Sequence, residues 1–211
     1  MKQKISCPCG SAFSVEAPEE IDLDRESEYI DKITDGSFMS FHCPGCGKKH
    51  KPEFPVTLLW PGRSIRFEVL PELERGEFYR RKKDPPGPGD SALRTETIIG
   101  YPELSDRVAV IRDGLEPAVI EALKYYLLLK AEETWPGLET SVWYQGKGPE
   151  SIEFHLHGIR ADEVAVSRVP LGVYGKTLED YKKHPGSEVF ASLRIRSYIS
   201  VQNMMRPEKL K

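Results

Sequence analysis

The feature that most constrains this chain is a pair of matching cysteine turns, ISCPCG starting at Ile5 and FHCPGCG starting at Phe41. Together they contain all four cysteines of the 211-residue sequence. In each turn a Cys-Pro step leads to a second cysteine and then a glycine. Two cysteines this close can direct both sulfurs to one point, and two such pairs make up a tetrahedral set of metal ligands.

The sequence therefore predicts a metal site whose ligands are Cys7, Cys9, Cys43 and Cys46. Zinc is the expected ion because it prefers four tetrahedral ligands and binds thiolates well, and iron is the alternative since four thiolates also suit it. The first turn is one residue shorter than the second, so its hydrogen bonds must differ. His42 and His50 are substitute ligands if one cysteine does not reach. The competing interpretation is four buried or redox-active thiols.

Composition and charge narrow the class of protein. Hydrophobic residues make up 39% and charged residues 30%, which is typical of a soluble globular chain. The net charge of −3 is unlike the basic field of a dedicated nucleic-acid-binding protein. The most apolar run, VIEALKYYLLLKA, contains Glu121 and Lys124 and is too short to span a bilayer. No signal peptide is recognisable, so we expect a cytoplasmic protein without membrane contact, where paired cysteines more often bind metal than form disulfides.

Hydrophobic periodicity predicts an α+β fold. Helices are expected over residues 19–35, 102–112 and 116–134 and around residues 175–183, and strands in EFPVTLLW, SIRFEVLP, SVWYQG, SIEFHLHG and EVAVSRV. We expect a zinc-ribbon-like unit over residues 1–55, with a helix between the two cysteine turns, packed on a small antiparallel sheet with additional helices. Residues 56–211 are expected to form one continuous domain with it, interrupted by a flexible loop at residues 80–92.

Two runs carry a resemblance to a known family. ISCPCGSAFSVE and DRESEYIDKITDGSFMSFHCPGCGKK resemble the CpXC-domain proteins of bacteria and archaea, which pair two Cys-Pro-x-Cys turns around a helix that ends in a Gly-containing turn. The strong part covers about the first 70 residues, and the shortened first turn departs from the family pattern. The resemblance implies a zinc-ribbon-like module with the four cysteines as ligands. It implies no reaction, because the family has no established activity to carry over.

A second candidate site lies in SIEFHLHG. On a strand, Glu153, His155 and His157 share one face, and one carboxylate with two imidazoles suits a second metal or acid-base chemistry. The competing interpretation is the solvent face of an antiparallel strand. A metallo-hydrolase built on these three residues is therefore one alternative function.

Nucleic-acid binding is the other alternative. Lys48, Lys49 and Lys51 follow the second cysteine turn, and RRKK at residues 80–83 is a candidate phosphate contact. Charge compensation of the thiolates explains the three lysines equally well, and a solvated loop explains RRKK. We expect a non-enzymatic zinc-binding protein that binds another protein. The three tryptophans are expected in the core, and one found exposed would mark a partner surface.

Overall fold

Helices and small sheets combine in an α+β arrangement in the computed structural model, which describes residues 2–82 and 92–205. The predicted fold class is therefore confirmed. The chain divides into two compact units, Met1–Ser105 and Asp106–Lys211. The predicted division at residue 55 stays a prediction. Most of the predicted flexible loop, residues 83–91, lies outside the described residues.

Each cysteine turn is the loop of a short antiparallel hairpin. Strands β1 (Lys2–Ser6) and β2 (Ala12–Glu16) enclose the first turn. After β3 (Glu20–Asp22) and α1 (Glu28–Thr34), strands β4 (Phe41–His42) and β5 (Lys49–His50) enclose the second. A helix thus lies between the two turns, as predicted.

That helix is much shorter than the predicted span of residues 19–35. Its first part is instead the strand β3, which pairs in parallel with β6 (Val56–Trp60). Ile21 and Leu23 are fully buried there. Pairing with a strand distant in sequence satisfies the backbone of this segment and buries its apolar side chains, and this outweighs the local helical pattern.

The sheet of the first unit is mixed rather than antiparallel. Strands β3, β6, β7 (Ile65–Leu70) and β8 (Arg94–Ile99) are adjacent in that order, and only the β6–β7 pair is antiparallel. Alternate residues of β6 and β7 are buried, which gives the sheet one core-facing side. The short helix α2 (Arg75–Arg80) follows β7, and α3 (Tyr101–Arg112) contains the boundary between the units.

The second unit packs α4 (Pro117–Thr134) on an antiparallel sheet. The sheet consists of β9 (Ser141–Lys147), β10 (Ser151–Arg160) and β11 (Glu163–Pro170), with β10 in the middle. The elements α5 (Leu171–Lys183), α6 (Glu188–Ser192), β12 (Arg194–Ile195) and β13 (Tyr198–Ile199) follow. The core joins Ile120 and Leu123 of α4 to Ile152 and Phe154 of β10. Within the described part of the chain, no helix combines the length and apolar character needed to cross a bilayer.

Four charged side chains lie inside this second unit. They form the buried charge cluster, whose members are at most 6% exposed: Asp106, Arg107, Glu121 and Lys124. The Lys124 ammonium donates to Asp106 Oδ2 at 2.6 Å and to Glu121 Oε1 at 2.8 Å. Burial lowers the pKa of Lys124, but the two carboxylates raise it further, so the net shift is upward and the lysine stays protonated.

Backbone groups complete the hydrogen bonds of the buried charge cluster. Arg107 donates to the carbonyl of Ile199 at 2.7 Å, and Glu121 accepts from the backbone N–H of Val201 at 2.8 Å. Asp106 accepts from the backbone N–H of Tyr144 at 2.6 Å. Two positive and two negative charges thus balance one another and tie together α3, α4, β9 and the segment after β12.

Candidate metal centre

The two hairpin loops bring the four predicted ligands to one place. The sulfurs of Cys7, Cys9, Cys43 and Cys46 all lie within 4.8 Å of one another. The Cys7 and Cys46 sulfurs are 3.6 Å apart, and those of Cys9 and Cys43 are 3.7 Å apart. Each of these short distances joins one sulfur from each turn. All four are free thiols, since a disulfide would hold its sulfurs about 2.0 Å apart.

These distances fit a tetrahedral metal ion. With zinc–sulfur bonds of about 2.3 Å, two ligands of a regular tetrahedron are separated by about 3.8 Å. The closest sulfur pairs, at 3.6 and 3.7 Å, match that separation. The donor set also fits, because four thiolates suit zinc or iron. The residues present are therefore compatible with the ion that the spacing predicts.

The two turns share a backbone pattern but differ in length. In the first, the N–H of Gly10 donates to the carbonyl of Cys7 at 3.0 Å, three residues back. In the second, the N–H of Gly47 donates to the carbonyl of Cys43 at 2.8 Å, four residues back. Both glycines have left-handed backbones, with φ of +89° and +72°, a conformation that glycine adopts without strain.

Ser11 supplies additional hydrogen bonds to the shortened turn. Its hydroxyl and then its backbone N–H hydrogen-bond the Cys9 sulfur, and they lower the pKa of Cys9 to about 6. For Cys7, the backbone N–H of Cys9 lowers the pKa, but burial and the neighbouring thiols raise it, to about 12 overall. The thiols are therefore unequal: Cys9 ionises readily, whereas Cys7 retains its proton until a cation is nearby.

The two turns come into close contact at Gly45. A β-carbon added at Gly45 would lie 2.3 Å from the Ser11 hydroxyl oxygen and 3.7 Å from the Cys9 sulfur. The second turn therefore approaches the first so closely that a side chain at position 45 would force the two turns to shift. The sequence alone indicated neither this contact nor the role of Ser11, because both depend on how the turns face each other.

Of the two predicted substitute ligands, only His50 is brought to the sulfurs. Its Nε2 lies 3.3 Å from the Cys7 sulfur, and its ring packs edge-on against Phe13 with centroids 5.9 Å apart. His42 is exposed on β4. Because all four sulfurs converge, neither histidine is needed to complete a set of four ligands.

The basic residues after the second turn interact with a carboxylate. Hydrogen bonds from Ser37, and then the charges of Lys49 and Lys51, hold the pKa of Asp35 below its ordinary value. The Ser37 backbone N–H donates to Asp35 Oδ1 at 2.7 Å. Part of the positive charge that sequence analysis assigned to thiolates or phosphate is thus balanced by Asp35.

The second candidate site is only partly assembled. Glu153 Oε1 lies 3.3 Å from His155 Nε2, but Oε2 accepts from the Arg168 guanidinium at 2.8 and 3.0 Å. The Arg168 hydrogen bond is the main cause of the lowered pKa of Glu153. Arg168 faces Glu153 through the β10–β11 register, which the sequence did not reveal. Among residues 2–82 and 92–205, only the four cysteines gather as a possible metal-binding group, so His157 does not join this pair.

Comparisons with known proteins agree with the cysteine pattern. The family model described as "CpXC protein" matches residues 5–124, a range that contains both turns and continues to Lys124 in α4. A protein of Treponema pallidum (strain Nichols), named "Uncharacterized protein", is 30% identical over 219 aligned positions, which cover 95% of this chain and 97% of that protein. No solved structure gives a significant match. The predicted resemblance is confirmed, and it extends well beyond the first 70 residues.

Proposed function

The chain belongs to the CpXC protein family, and we propose that it is a zinc-binding protein whose zinc-ribbon-like site is structural and which acts by binding another protein. The proposed ligands are the four cysteines: Cys7, Cys9, Cys43 and Cys46. The observation that carries the proposal is the convergence of their sulfurs to within 4.8 Å. Among the residues that the structure describes, no carboxylate or imidazole is part of that group.

A structural rather than catalytic role follows from the number of ligands. Four protein thiolates fill the tetrahedron and leave no position for water or substrate. The bound ion would neutralise thiolate charge and fasten the two hairpins together, so that the segment between them closes into a loop. We therefore propose a non-enzymatic protein.

Zinc is proposed over iron because a closed tetrahedral site of this kind is the usual zinc arrangement and has no redox activity of its own. The four free thiols also support a reducing compartment such as the cytoplasm, where disulfides rarely persist. Iron bound by the same sulfurs would instead support electron transfer.

Protein binding is supported by an exposed tryptophan in the described part of the chain. Trp60 is buried as expected, but Trp135 at the end of α4 is 42% exposed rather than in the core. Tryptophan is enriched among the residues that dominate binding energy at protein interfaces, whereas a single exposed leucine such as Leu73 is ordinary on a protein surface. Nucleic-acid binding has weaker support, because Asp35 balances part of the charge of Lys49 and Lys51.

The deciding experiment is metal analysis of the untagged full chain. Protein purified in reductant is passed over a chelating resin, and each metal is counted per chain by inductively coupled plasma mass spectrometry. We expect one zinc per chain, and we expect mercurial titration of four thiols to release it. The matched control is the Cys43→Ser variant, which should contain none.

Other results would redirect the proposal. One iron per chain would move it to redox chemistry, and two metals per chain would return attention to Glu153, His155 and His157. Absence of metal after loading with Zn²⁺ would contradict it. Strong binding to DNA or RNA that weakens steeply with salt would replace protein binding with the nucleic-acid alternative.

A further inference from the structure

We propose that Ser11 and His50 are positioning residues of the metal site, which hydrogen-bond the two sulfurs of the shortened first turn and thereby slow the loss of the ion. Ser11 acts on Cys9, and His50 acts on Cys7. This inference rests on the proposed function, because it requires that the four cysteines bind a metal.

The need for such residues follows from the difference between the turns. Cys43 and Cys46 have two residues between them, whereas Cys7 and Cys9 have one. The first turn therefore offers one backbone N–H fewer between its cysteines. Hydrogen bonds to ligating thiolates withdraw negative charge from the sulfur and hold its orientation, so a turn with one donor fewer provides a weaker pair of ligands. A donor from outside the turn removes that deficit.

Ser11 is held in place to act as one such donor. Its carbonyl accepts from the Cys7 N–H at 2.8 Å, which closes the hairpin around the turn. Its hydroxyl oxygen lies beside the Cys9 sulfur, since a β-carbon added at Gly45 would be 2.3 Å from the one and 3.7 Å from the other. On its other side the backbone of Gly45 approaches so closely that an added β-carbon would be 2.3 Å from the hydroxyl oxygen. The hydroxyl is therefore confined between the two turns.

His50 is held in place to act as the second donor. Its Nε2 is 3.3 Å from the Cys7 sulfur, and its ring is oriented by the edge-on contact with Phe13. Strand β5 fixes its backbone through pairing with Phe41. A metal-bound thiolate can only accept, so the hydrogen between the two atoms belongs to His50. Because Cys7 is only 6% exposed, water does not compete effectively with this hydrogen bond.

The test measures zinc loss from variants that lack one donor. The variants are Ser11→Ala and His50→Leu, with Ser14→Ala and His42→Leu as controls at exposed positions of the same two hairpins. Each full chain is loaded with one Zn²⁺, and its transfer to a chromophoric chelator is timed at constant pH. Loss of a residue that supports a ligand lowers metal affinity about 10- to 100-fold. We expect zinc release faster by about that factor in the two variants and within about twofold of the unmodified chain in the controls.

A spectroscopic measurement separates hydrogen bonding from general loosening of the fold. In the Co²⁺-loaded chain, removal of a donor raises the energy of the sulfur electrons, so the thiolate-to-cobalt charge-transfer band should move to longer wavelength. His50→Gln keeps an N–H donor and should largely restore both the band and the release rate. If His50→Leu does not fold, Ser11→Ala still tests the proposal, because it removes one hydroxyl and leaves the backbone hydrogen bonds of Ser11 intact.

The outcomes distinguish this inference from the proposed function. If the unmodified chain binds no Zn²⁺, both are overturned. If it binds one Zn²⁺ and the two variants match the controls in release rate and in charge-transfer band, only the role of Ser11 and His50 is overturned. Faster release together with the band shift supports the inference.

Discussion

The four-cysteine cluster and the buried charge cluster each gather four polar side chains, but they satisfy them in opposite ways. The charge cluster is neutral, buried, and bonded to itself and to backbone groups. The cysteine cluster has two buried and two exposed members and leaves four sulfurs facing one another. Charged groups that are paired with one another inside a protein are typical of a structural role. Sulfurs that converge without a positive charge between them are typical of a site that binds a metal ion.

The two clusters also differ in their electrostatic balance. Four thiolates within 4.8 Å of one another repel strongly, so they ionise together only around a cation. The thiols are also unequal, since hydrogen bonds from Ser11 lower the pKa of Cys9, whereas burial and the neighbouring thiols raise the pKa of Cys7. In the charge cluster, Lys124 lies between two carboxylates, and no ion is required.

The largest expected effect is on the cysteine cluster. Cys43→Ser should abolish zinc binding and unfold the region around both turns, because structural zinc contributes about 10–16 kcal/mol of binding energy in zinc-finger peptides. Hydrogen-exchange mass spectrometry should show lost protection in residues 2–50 and unchanged protection in residues 117–134. The control Ser6→Ala, at an exposed neighbour of Cys7, should behave as the unmodified chain. Retained zinc and retained protection in Cys43→Ser would refute a structural site.

The next largest effect is expected in the buried charge cluster, and it tests whether pairing among these charges stabilises the fold. Lys124→Met leaves the buried carboxylates of Asp106 and Glu121 with Arg107 as their remaining buried counter-charge in the cluster, and should lower the free energy of unfolding by about 3–5 kcal/mol. Urea denaturation followed by circular dichroism measures the change, and zinc content should stay at the unmodified level. Lys130→Met, at an exposed position of the same helix, should change stability by less than about 0.5 kcal/mol. A loss of stability in Lys124→Met as small as that in Lys130→Met would mean that the buried charge cluster does not stabilise the fold.

A smaller effect is expected where the two cysteine turns meet. Gly45→Ala places a β-carbon against the Ser11 hydroxyl, so the turns must separate slightly. Overpacking of this kind costs about 1–3 kcal/mol, which should appear as weaker zinc binding in competition with a chelator. Gly76→Ala is the matched control, because the nearest atom to its added β-carbon is a flexible arginine end 4.0 Å away. Unchanged zinc affinity in Gly45→Ala would show that the turns have room to adjust.

The smallest effect concerns the surface pair that competes with the second candidate site. Arg168→Ala should raise the pKa of Glu153 towards its ordinary value, measured by carbon-detected NMR titration of the carboxyl group. Because the folded pKa is depressed, the stabilisation is present above the ordinary glutamate pKa and is lost as pH falls through the folded value. Arg160→Ala, which removes the partner of Glu163, is the control and should leave the Glu153 titration unchanged.

The sequence predicted the elements whose signals are local. The helix expected over residues 116–134 is observed as Pro117–Thr134, since Pro117 suits the first helical position and Glu116 caps the helix by accepting from the Ala118 N–H. The convergence of the four cysteines followed from their spacing in two turns. Both features depend on neighbours only a few residues away, or on a motif that repeats.

Features set by distant partners were not predictable in the same way. Glu121 and Lys124 looked like polar interruptions of an apolar run, because their partners Asp106 and Val201 lie 18 and 80 residues away. Residues 20–22 had helical periodicity and yet form a strand, because β6 provides a backbone partner. Ser11 and Gly45 gave no signal either, since their importance comes from the contact between two loops.

The sequence separation between contacting residues differs between the two clusters, and it determines when each cluster can form during translation. The cysteine pairs in contact are at most 39 residues apart, so the complete set has left the ribosome soon after Cys46. The charge cluster requires Ile199, 92 residues after Arg107. Because chains fold from the N-terminus as they are made, the first hairpins have all four cysteines while Arg107 and Glu121 still await their backbone partners. Translation thus completes the set of four cysteines before the second unit has all its residues.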